Sequence, residues 1–235
     1  MSGARVAAIR LRCSDPAGMA GFYRRALGCR TGDDGGPGEV ALRLGAQRVL
    51  LCRAGDDAPA AAPGNATAFQ HFAVAVSSME AAMRRLSTVP GWTPVSLSGP
   101  EWLPAASGGV AAFKFRDPDG HPLEILQFPP DAVPPRWRAA AAGTSPFLGI
   151  DHSAISVLDT ARAAAFYAVL GFEPGPTRVN RGAEQARLDG LPGAVVEVTP
   201  LRSAGGNPPH LELLCYRQPV AEAVSAADGA VAATE

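Results

Sequence analysis

The chain has 235 residues, a formal net charge of -1 at pH 7 and 47% apolar residues. This balance does not favour a surface for nucleic acid or acidic lipids, and no apolar run reaches the roughly 20 residues of a membrane-spanning helix. Residues 1–16 lack the apolar core of a signal peptide, so we expect a soluble, cytoplasmic protein. The four cysteines show no CxxC spacing, which indicates free thiols.

The first segment, residues 1–55, predicts the element order β-α-β-β-β, here called module 1. A strand is expected over residues 6–12, and Asp15-Pro16 is typical of a helix start. Apolar residues then recur at helical spacing over residues 17–27, and Gly28 is suited to a left-handed helix end. Three extended pieces separated by glycine-rich turns complete the module.

Residues 68–130 repeat this order as module 2, after a linker rich in alanine, proline and glycine over residues 56–67. Strands are expected over residues 69–76, 92–97, 110–116 and 122–128, with a helix over 79–86 capped by Ser77 or Ser78. Asp117-Pro118-Asp119-Gly120 is a hairpin-turn sequence, because proline presets φ and glycine accepts a positive φ.

A proline-rich linker over residues 131–147 leads to module 3, residues 148–218, and a tail over 219–235. Asp159 is expected to cap a helix over 160–170, with strands over 149–157, 172–179, 194–199 and 210–216. Phe166 and Tyr167 align with Phe22 and Tyr23, and all four are predicted to be helix core residues. The polar stretch from Arg178 to Arg187 reads as a solvated loop, with a substrate-contacting loop as the alternative.

Two histidine and glutamate pairs point to a duplicated site. His71 and His152 lie at matching positions in the first strands of modules 2 and 3, and Glu124 and Glu212 at matching positions in the last strands. A carboxylate in an apolar strand is costly to bury unless it is paired or bound. Two imidazoles and two carboxylates suit a divalent metal such as Fe²⁺, Mn²⁺, Ni²⁺, Co²⁺ or Zn²⁺.

The other two histidines are less distinctive. His121 follows the hairpin turn and matches no position in the first strand of module 3, so a role in the turn or strand start is expected. His210 lies two residues before Glu212. It either lines the same cavity or is a hydrogen-bonded rim residue, which is the simpler interpretation.

These motifs together resemble the vicinal oxygen chelate superfamily, the group of glyoxalases, bleomycin-resistance proteins and extradiol dioxygenases. The similarity rests on the β-α-β-β-β order, the Phe-Tyr helix ending before Leu-Gly, the turn-and-strand stretch 117–124 and the His152 strand, and it extends over residues 4–217 or so. It implies an α+β fold in which repeated βαβββ modules pair into cup-shaped mixed sheets. It also implies a divalent metal held by His71, Glu124, His152 and Glu212, a small-molecule substrate, and a homodimer.

Two ways of pairing the modules remain open. Modules 2 and 3 can form the cup, which brings all four ligands together and leaves module 1 unpaired. Alternatively, modules 1 and 2 form it. Module 1 has Ala8 and Leu50 at the ligand positions, so that cup would hold half a site, and module 3 would pair with its own copy across a homodimer.

Three functions follow from the resemblance and the ligand set. The leading one is a glyoxalase-like, metal-assisted isomerase or lyase acting on a small carbonyl or oxygen-chelating substrate, with Glu124 or Glu212 as the catalytic base. The second is a metal-free protein that binds and sequesters a small molecule, as in resistance or biosynthesis. The third is an extradiol ring-cleaving dioxygenase with His71, His152 and Glu212 as its metal triad.

Overall fold

A computed structural model describes residues 4–54, 62–67, 69–141, 143–203, 206 and 209–223. Half of the predicted linker over 56–67 and most of the predicted tail over 219–235 lie outside these residues. The described elements of module 1 are β1 (Ile9–Cys13), α1 (Pro16–Leu27), β2 (Arg30–Thr31), β3 (Glu39–Leu44) and β4 (Gln47–Arg53). Asp15 caps α1 by accepting a hydrogen bond from the Ala17 amide, and Gly28 ends the helix at φ 71°.

Module 2 repeats this arrangement with one additional short strand. Its elements are β5 (Gln70–Val76), α2 (Met79–Ser87), β6 (Thr93–Pro94), β7 (Glu101–Trp102), β8 (Ala111–Arg116) and β9 (Pro122–Gln127). A short 3-10 helix, Ala105–Ser107, lies between β7 and β8. The expected strand over 92–97 is therefore reduced to two residues. Ser78 is the N-cap of α2 and accepts from the Ala81 amide.

Module 3 departs most from the expected elements. After α3 (Pro135–Ala140), its elements are β10 (Phe147–Ser156), α4 (Thr160–Val169), β11 (Phe172–Pro174), β12 (Arg178–Arg181), α5 (Ala183–Asp189), β13 (Val195–Ser203) and β14 (His210–Gln218). The single strand expected over 172–179 is wrong, because Pro174 and Pro176 lack the amide donor that a continuous ladder needs. The loop expected from Arg178 to Arg187 is also wrong, since this stretch forms β12 and α5. None of the described helices is long and apolar enough to span a membrane.

All three modules have the same strand order. Module 1 forms a four-stranded sheet in the order β1-β4-β3-β2, while the corresponding strands run β5-β9-β8-β6 in module 2 and β10-β14-β13-β11 in module 3. In each, the first strand pairs in parallel with the last. This shared order is the structural counterpart of the internal repeat in the sequence.

Modules 2 and 3 share one mixed ten-stranded sheet, joined by the antiparallel pair β5 and β10. Phe72 lies opposite Ser153 and Ala73 opposite His152 across this junction. The fold is thus α+β with a cup-shaped sheet built from modules 2 and 3. The alternative in which modules 1 and 2 form the cup does not occur.

Module 1 packs behind this sheet through a common apolar core. Helix α1 packs on α2, and the core joins Leu11 and Tyr23 of module 1 with Phe72 and Phe115 of module 2. Burial of these side chains attaches module 1 to the convex side of module 2. The concave side of the shared sheet therefore remains available for a ligand.

Candidate metal centre

A cavity of about 610 Å³ lies in the cup between modules 2 and 3. Its lining includes side chains from both modules, among them His71, Lys114, Glu124, His152, His210 and Glu212. A volume of this size is typical of a site for a small organic molecule. All four side chains that the sequence singled out as ligand candidates line this one cavity.

His71 and Glu124 come from the parallel neighbours β5 and β9. Nε2 of His71 lies 3.0 Å from Oε2 of Glu124. The His71 ring is 2% exposed, and neither of its nitrogens has a hydrogen-bond partner of good geometry within the described chain. Burial lowers the pKa of His71, so its imidazole is neutral at pH 7, the form that binds a metal.

His152 reaches the cavity from β10 at a strand irregularity. The register shifts between Ile150 and His152, so Asp151 is an extra residue in the ladder and both Asp151 and His152 line the cavity. Nδ1 of His152 lies 3.2 Å from Oδ2 of Asp151, whose Oδ1 accepts hydrogen bonds from Trp137 and Arg136. Asp151 thereby orients the ring and leaves Nε2 facing the other candidate ligands.

Glu212 lies on β14, the parallel neighbour of β10. Its Oε2 is 3.7 Å from Nε2 of His152, and its Oε1 is 3.3 Å from Nε2 of His210. Burial lowers the pKa of His152, but Glu212 and Asp151 outweigh burial and raise it to about 9. The imidazole is therefore protonated at pH 7 while no other cation occupies this position.

The two halves of the cluster meet across the β5–β10 junction. The ring centroids of His71 and His152 are 5.8 Å apart, and potential ligand atoms of His71, Glu124 and His152 all lie within 4.8 Å of one another. A second such group, Asp151, His152 and His210, shares His152 with the first. These side chains form a compact set of nitrogen and oxygen donors suited to a divalent cation.

Lys114 is a cavity residue that the sequence reasoning missed. It lies on β8 directly opposite Glu124, and its Nζ is 3.9 Å from the same Glu124 oxygen that contacts His71. The ammonium is 2.6 Å from Oδ1 of Asp189 on α5 of module 3. Burial raises the pKa of Glu124, but the 3.0 Å contact with Nε2 of His71 and the charge of Lys114 outweigh burial and hold it at about 2. Glu124 is therefore an anion at pH 7.

Asp151 was also missed as a site residue, whereas His210, for which the sequence left a cavity position or a hydrogen-bonded rim position open, lines the cavity and contacts Glu212. Alternation along β14 gives a signal for His210, because residues two apart in a strand share a face and Glu212 is two residues further on. Asp151 gives no such signal, since only the bulge in β10 turns it toward the cavity.

His121 lies outside the cavity. Its Nδ1 is 2.8 Å from Oδ2 of Asp117, and its Nε2 is 2.9 Å from the carbonyl oxygen of Arg12 in module 1. Tyr23 of α1 donates a hydrogen bond to the same Asp117 oxygen. His121 thus connects the β8–β9 turn to module 1.

Comparison with known proteins agrees with this architecture. The model of the family described as glyoxalase-like domain matches residues 8–126, just over half of the chain. Comparison with curated proteins gives no match.

Among solved structures, glyoxalase I from Zea mays has a TM-score of 0.59 at 18% identity, covering 89% of this chain and 66% of that one. A point mutant of the same maize enzyme has a TM-score of 0.58 at 19% identity, covering 89% and 68%. Lactoylglutathione lyase from Agrobacterium tumefaciens is 18% identical over 53% of this chain and 93% of its own, with a TM-score of 0.38.

The likeness to the maize enzyme concerns the fold, and this chain spans just under two thirds of the length of that enzyme. The family match extends from β1 to β9, so it covers modules 1 and 2, and the shared strand order extends the repeat to module 3. The chain therefore belongs to the glyoxalase-like family of the vicinal oxygen chelate superfamily.

Proposed function

We propose that this protein is a metal-dependent isomerase or lyase of the glyoxalase type, acting on a small carbonyl or oxygen-chelating substrate. The observation that carries the proposal is that His71, Glu124, His152 and Glu212 line one cavity, with one histidine and one glutamate from each of modules 2 and 3.

The donors fit a divalent cation on two counts. His71 is buried, neutral and without a well-formed hydrogen bond, which is unusual for a buried polar group and is explained if a metal binds there. His152 is held by Asp151 through Nδ1, the arrangement that positions metal-bound histidines. Two nitrogen and two oxygen donors suit Fe²⁺, Mn²⁺, Ni²⁺, Co²⁺ or Zn²⁺.

A cation held by these residues would supply Lewis acidity for a substrate carbonyl and for the negative charge that develops when a proton leaves the adjacent carbon. Glu212 is the better candidate for the base that takes this proton. Its side chain is 21% exposed against 9% for Glu124, and within the described chain no ammonium group lies at ion-pair distance from it. Glu124 is held between His71 and Lys114, so it remains in place as an anion.

Metal analysis and isotope exchange test this proposal. Protein purified without chelator should contain one divalent metal per chain, and a His71→Gln/His152→Gln variant should contain less than a tenth of that. With candidate carbonyl substrates in deuterated water, the product should carry deuterium at the α-carbon, and Glu212→Gln should lower the rate at least 10²-fold while retaining metal. Oxygen consumption with catechols would instead favour the ring-cleaving reaction.

A metal-free binding protein is the second candidate, and the Lys114 ammonium favours it. Lys114, together with a protonated His152, supplies positive charge beside Glu124 and Glu212 without a metal. In that case the purified protein would contain no stoichiometric metal, would bind an aromatic ligand tightly, and would release it unchanged.

A further inference from the structure

The wall of the cavity formed by β12 and α5 carries polar groups that the proposed metal chemistry does not use. Arg178 and Asn180 alternate on β12, and Gln185 follows on α5; all three line the cavity. The neighbouring residues on β12, Val179 and Arg181, do not line the cavity. This wall belongs to module 3 and lines the same cavity as the four candidate ligands.

Gln185 presents a buried acceptor of fixed orientation. The residue is 3% exposed, and its Nε2 donates to Oδ2 of Asp189 at 2.7 Å. The Asp189 carboxylate can only accept, so it fixes the amide with nitrogen toward itself and Oε1 away. Lys114 and Tyr216 also donate to Asp189, which holds the carboxylate in place.

Oε1 of Gln185 has no hydrogen-bond partner within the described residues, and neither has the buried Oδ1 of Asn180. Buried acceptors in folded proteins nearly always receive a hydrogen bond. Gln185 and Asn180, which both line the cavity, are therefore two residues with acceptors still open to hydroxyl or N–H donors.

Arg178 adds an available cation at the same wall. Its Nη1 lies 3.5 Å from the position that a Cβ on Gly108 would take, so the side chain extends from module 3 to module 2. No ion pair or hydrogen bond joins its guanidinium to another residue in the part of the chain that the structure describes. By contrast, the cavity cations Lys114 and Arg136 are paired with Asp189 and Asp151.

Arg202 also lines the cavity, but it lies opposite Glu173 in the β11–β13 ladder. Directly opposed residues in an antiparallel pair share a face, so Glu173 is available to balance its charge. Arg178 has no acidic residue opposite it in the β12–β13 ladder, where Val198 takes that position. Arg178 is therefore the stronger candidate for an anion contact.

We propose that β12 and α5 form a subsite for a small hydroxylated oxyanion, in which Arg178 binds a carboxylate or phosphate group while Gln185 and Asn180 accept hydrogen bonds from its hydroxyl groups. This inference rests on the proposed function in taking the molecule bound there to be the substrate. Carboxylates and phosphates offer the same oxygen acceptors to a guanidinium.

Binding to the full chain after chelator treatment tests the subsite without catalysis. Isothermal titration would compare D-glycerate with propionate, and glycerol 3-phosphate with methyl phosphate, with glycerol alone as the uncharged reference. At least one hydroxylated anion should bind ten times more tightly than its hydroxyl-free analogue. Whichever of D-glycerate and glycerol 3-phosphate binds more tightly identifies the anionic group as a carboxylate or a phosphate.

Arg178→Gln should weaken binding of that anion at least tenfold. Arg181→Gln, on the same strand but outside the cavity lining, should leave it unchanged. Gln185→Met should remove the advantage of the hydroxylated anion over its analogue. Asn180→Ala, at a half-buried position, serves the same purpose if Gln185→Met does not fold, and should reduce this advantage at least threefold.

Equal binding of hydroxylated and hydroxyl-free anions would overturn the proposal, as would equal losses in Arg178→Gln and Arg181→Gln. The His71→Gln/His152→Gln variant separates the two proposals, because it should lose metal while the effect of Arg178→Gln on anion binding persists. Metal binding with isotope exchange but without selective anion binding would leave the proposed function intact and remove the subsite.

Discussion

Glu124 and Glu212 occupy equivalent strand positions but have different neighbours. In the β8–β9 ladder Lys114 lies opposite Glu124, whereas in the β13–β14 ladder Pro200 lies opposite Glu212. The lysine in module 2 therefore gives Glu124 an ammonium partner. The proline at the equivalent position of module 3 leaves Glu212 with His152 and His210 as its ion-pair partners in the described chain. This difference is the physical basis for assigning them different roles.

The buried pair of Lys114 and Asp189 makes a prediction about stability. Asp189→Asn leaves the Lys114 ammonium buried without its 2.6 Å partner, and we expect a loss of about 3 kcal/mol in the free energy of unfolding. Urea denaturation of the wild type and the variant measures this loss. Glu197→Gln removes the exposed pair with Arg217 and should cost less than about 1 kcal/mol. Equal effects of the two substitutions would contradict this account.

His121 makes a prediction about pH. Burial lowers its pKa, but the hydrogen bond and charge of Asp117 outweigh burial and raise the pKa above the value of about 6.5 in the unfolded chain. The contribution of His121 to stability is then complete below about pH 6.5 and is lost as pH rises through the folded-state pKa.

The stability deficit of His121→Gln relative to wild type should accordingly be larger at about pH 5.5 than at about pH 9. Denaturation curves at the two pH values measure the difference. A deficit that is constant with pH would show that His121 is not protonated preferentially in the folded state. Metal content should be unchanged, because His121 lies outside the cavity.

At the scale of elements, α5 shows how a short helix escapes sequence analysis. It has seven residues, too few for an apolar period to stand out, and it begins after Gly182 without a side-chain cap. Its buried residues Gln185, Leu188 and Asp189 follow helical spacing, but two of them are polar. Asp189 is buried against Lys114 of module 2, and Gln185 donates to Asp189 within the helix. Polar composition therefore indicated a loop where tertiary contacts form a helix.

The end of α5 provides a third prediction. Gly190 has φ 63°, and a Cβ there would lie 2.7 Å from the carbonyl oxygen of Val95 in module 2. Gly190→Ala should destabilise the protein by about 2 kcal/mol and increase hydrogen exchange in α5. Gly38→Ala, at φ 77° with open space around it, isolates the backbone strain and should cost about 1 kcal/mol. Equal costs would mean that the contact with Val95 contributes nothing.

Helices α1 and α4 show that similar sequences can have different environments. Phe22 of α1 is 2% exposed, whereas Phe166 at the matching position of α4 is 63% exposed. The prediction that Phe166 is a core residue is therefore wrong. Helix α1 packs against α2 as well as its own sheet, whereas α4 packs mainly on β11 and β14 of its own module.

At the scale of the whole molecule, one chain places all four candidate ligands on one cavity through its own β5–β10 junction, with Glu212 outside the compact group of His71, Glu124 and His152. The homodimer expected from the family resemblance remains a prediction. Module 1 has Ala8 and Leu50 at the ligand positions, so we expect one metal site per chain.

Metal binding should stabilise the folded chain as a whole. At a free metal concentration of about 100 times Kd, linkage predicts about 2.7 kcal/mol of added stability, measurable as a rise in Tm that chelator reverses. The His71→Gln/His152→Gln variant should show no such rise. The same rise in this variant would place the metal elsewhere in the protein.

Local chain chemistry was sufficient to predict much of the fold. Asp15, Ser78 and Asp159 cap α1, α2 and α4 as expected, because a helix end exposes amides that a nearby oxygen can bind. The repeat, and the positions of the two histidines and two glutamates in first and last strands, follow from the same short-range alternation.

The tertiary structure decided which modules pair and which surfaces pack together, neither of which local chain chemistry can determine. Two pairings of the modules were compatible with the sequence, and the β5–β10 contact selects between them through residues about 80 positions apart. The bulge at Asp151, the Lys114–Asp189 pair and the unsatisfied oxygen of Gln185 likewise depend on which surfaces pack together. The sequence by itself determined the modules and the strand positions of the candidate ligands, while long-range packing determined the cavity, because strand pairing and burial of polar groups depend on partners distant in the chain.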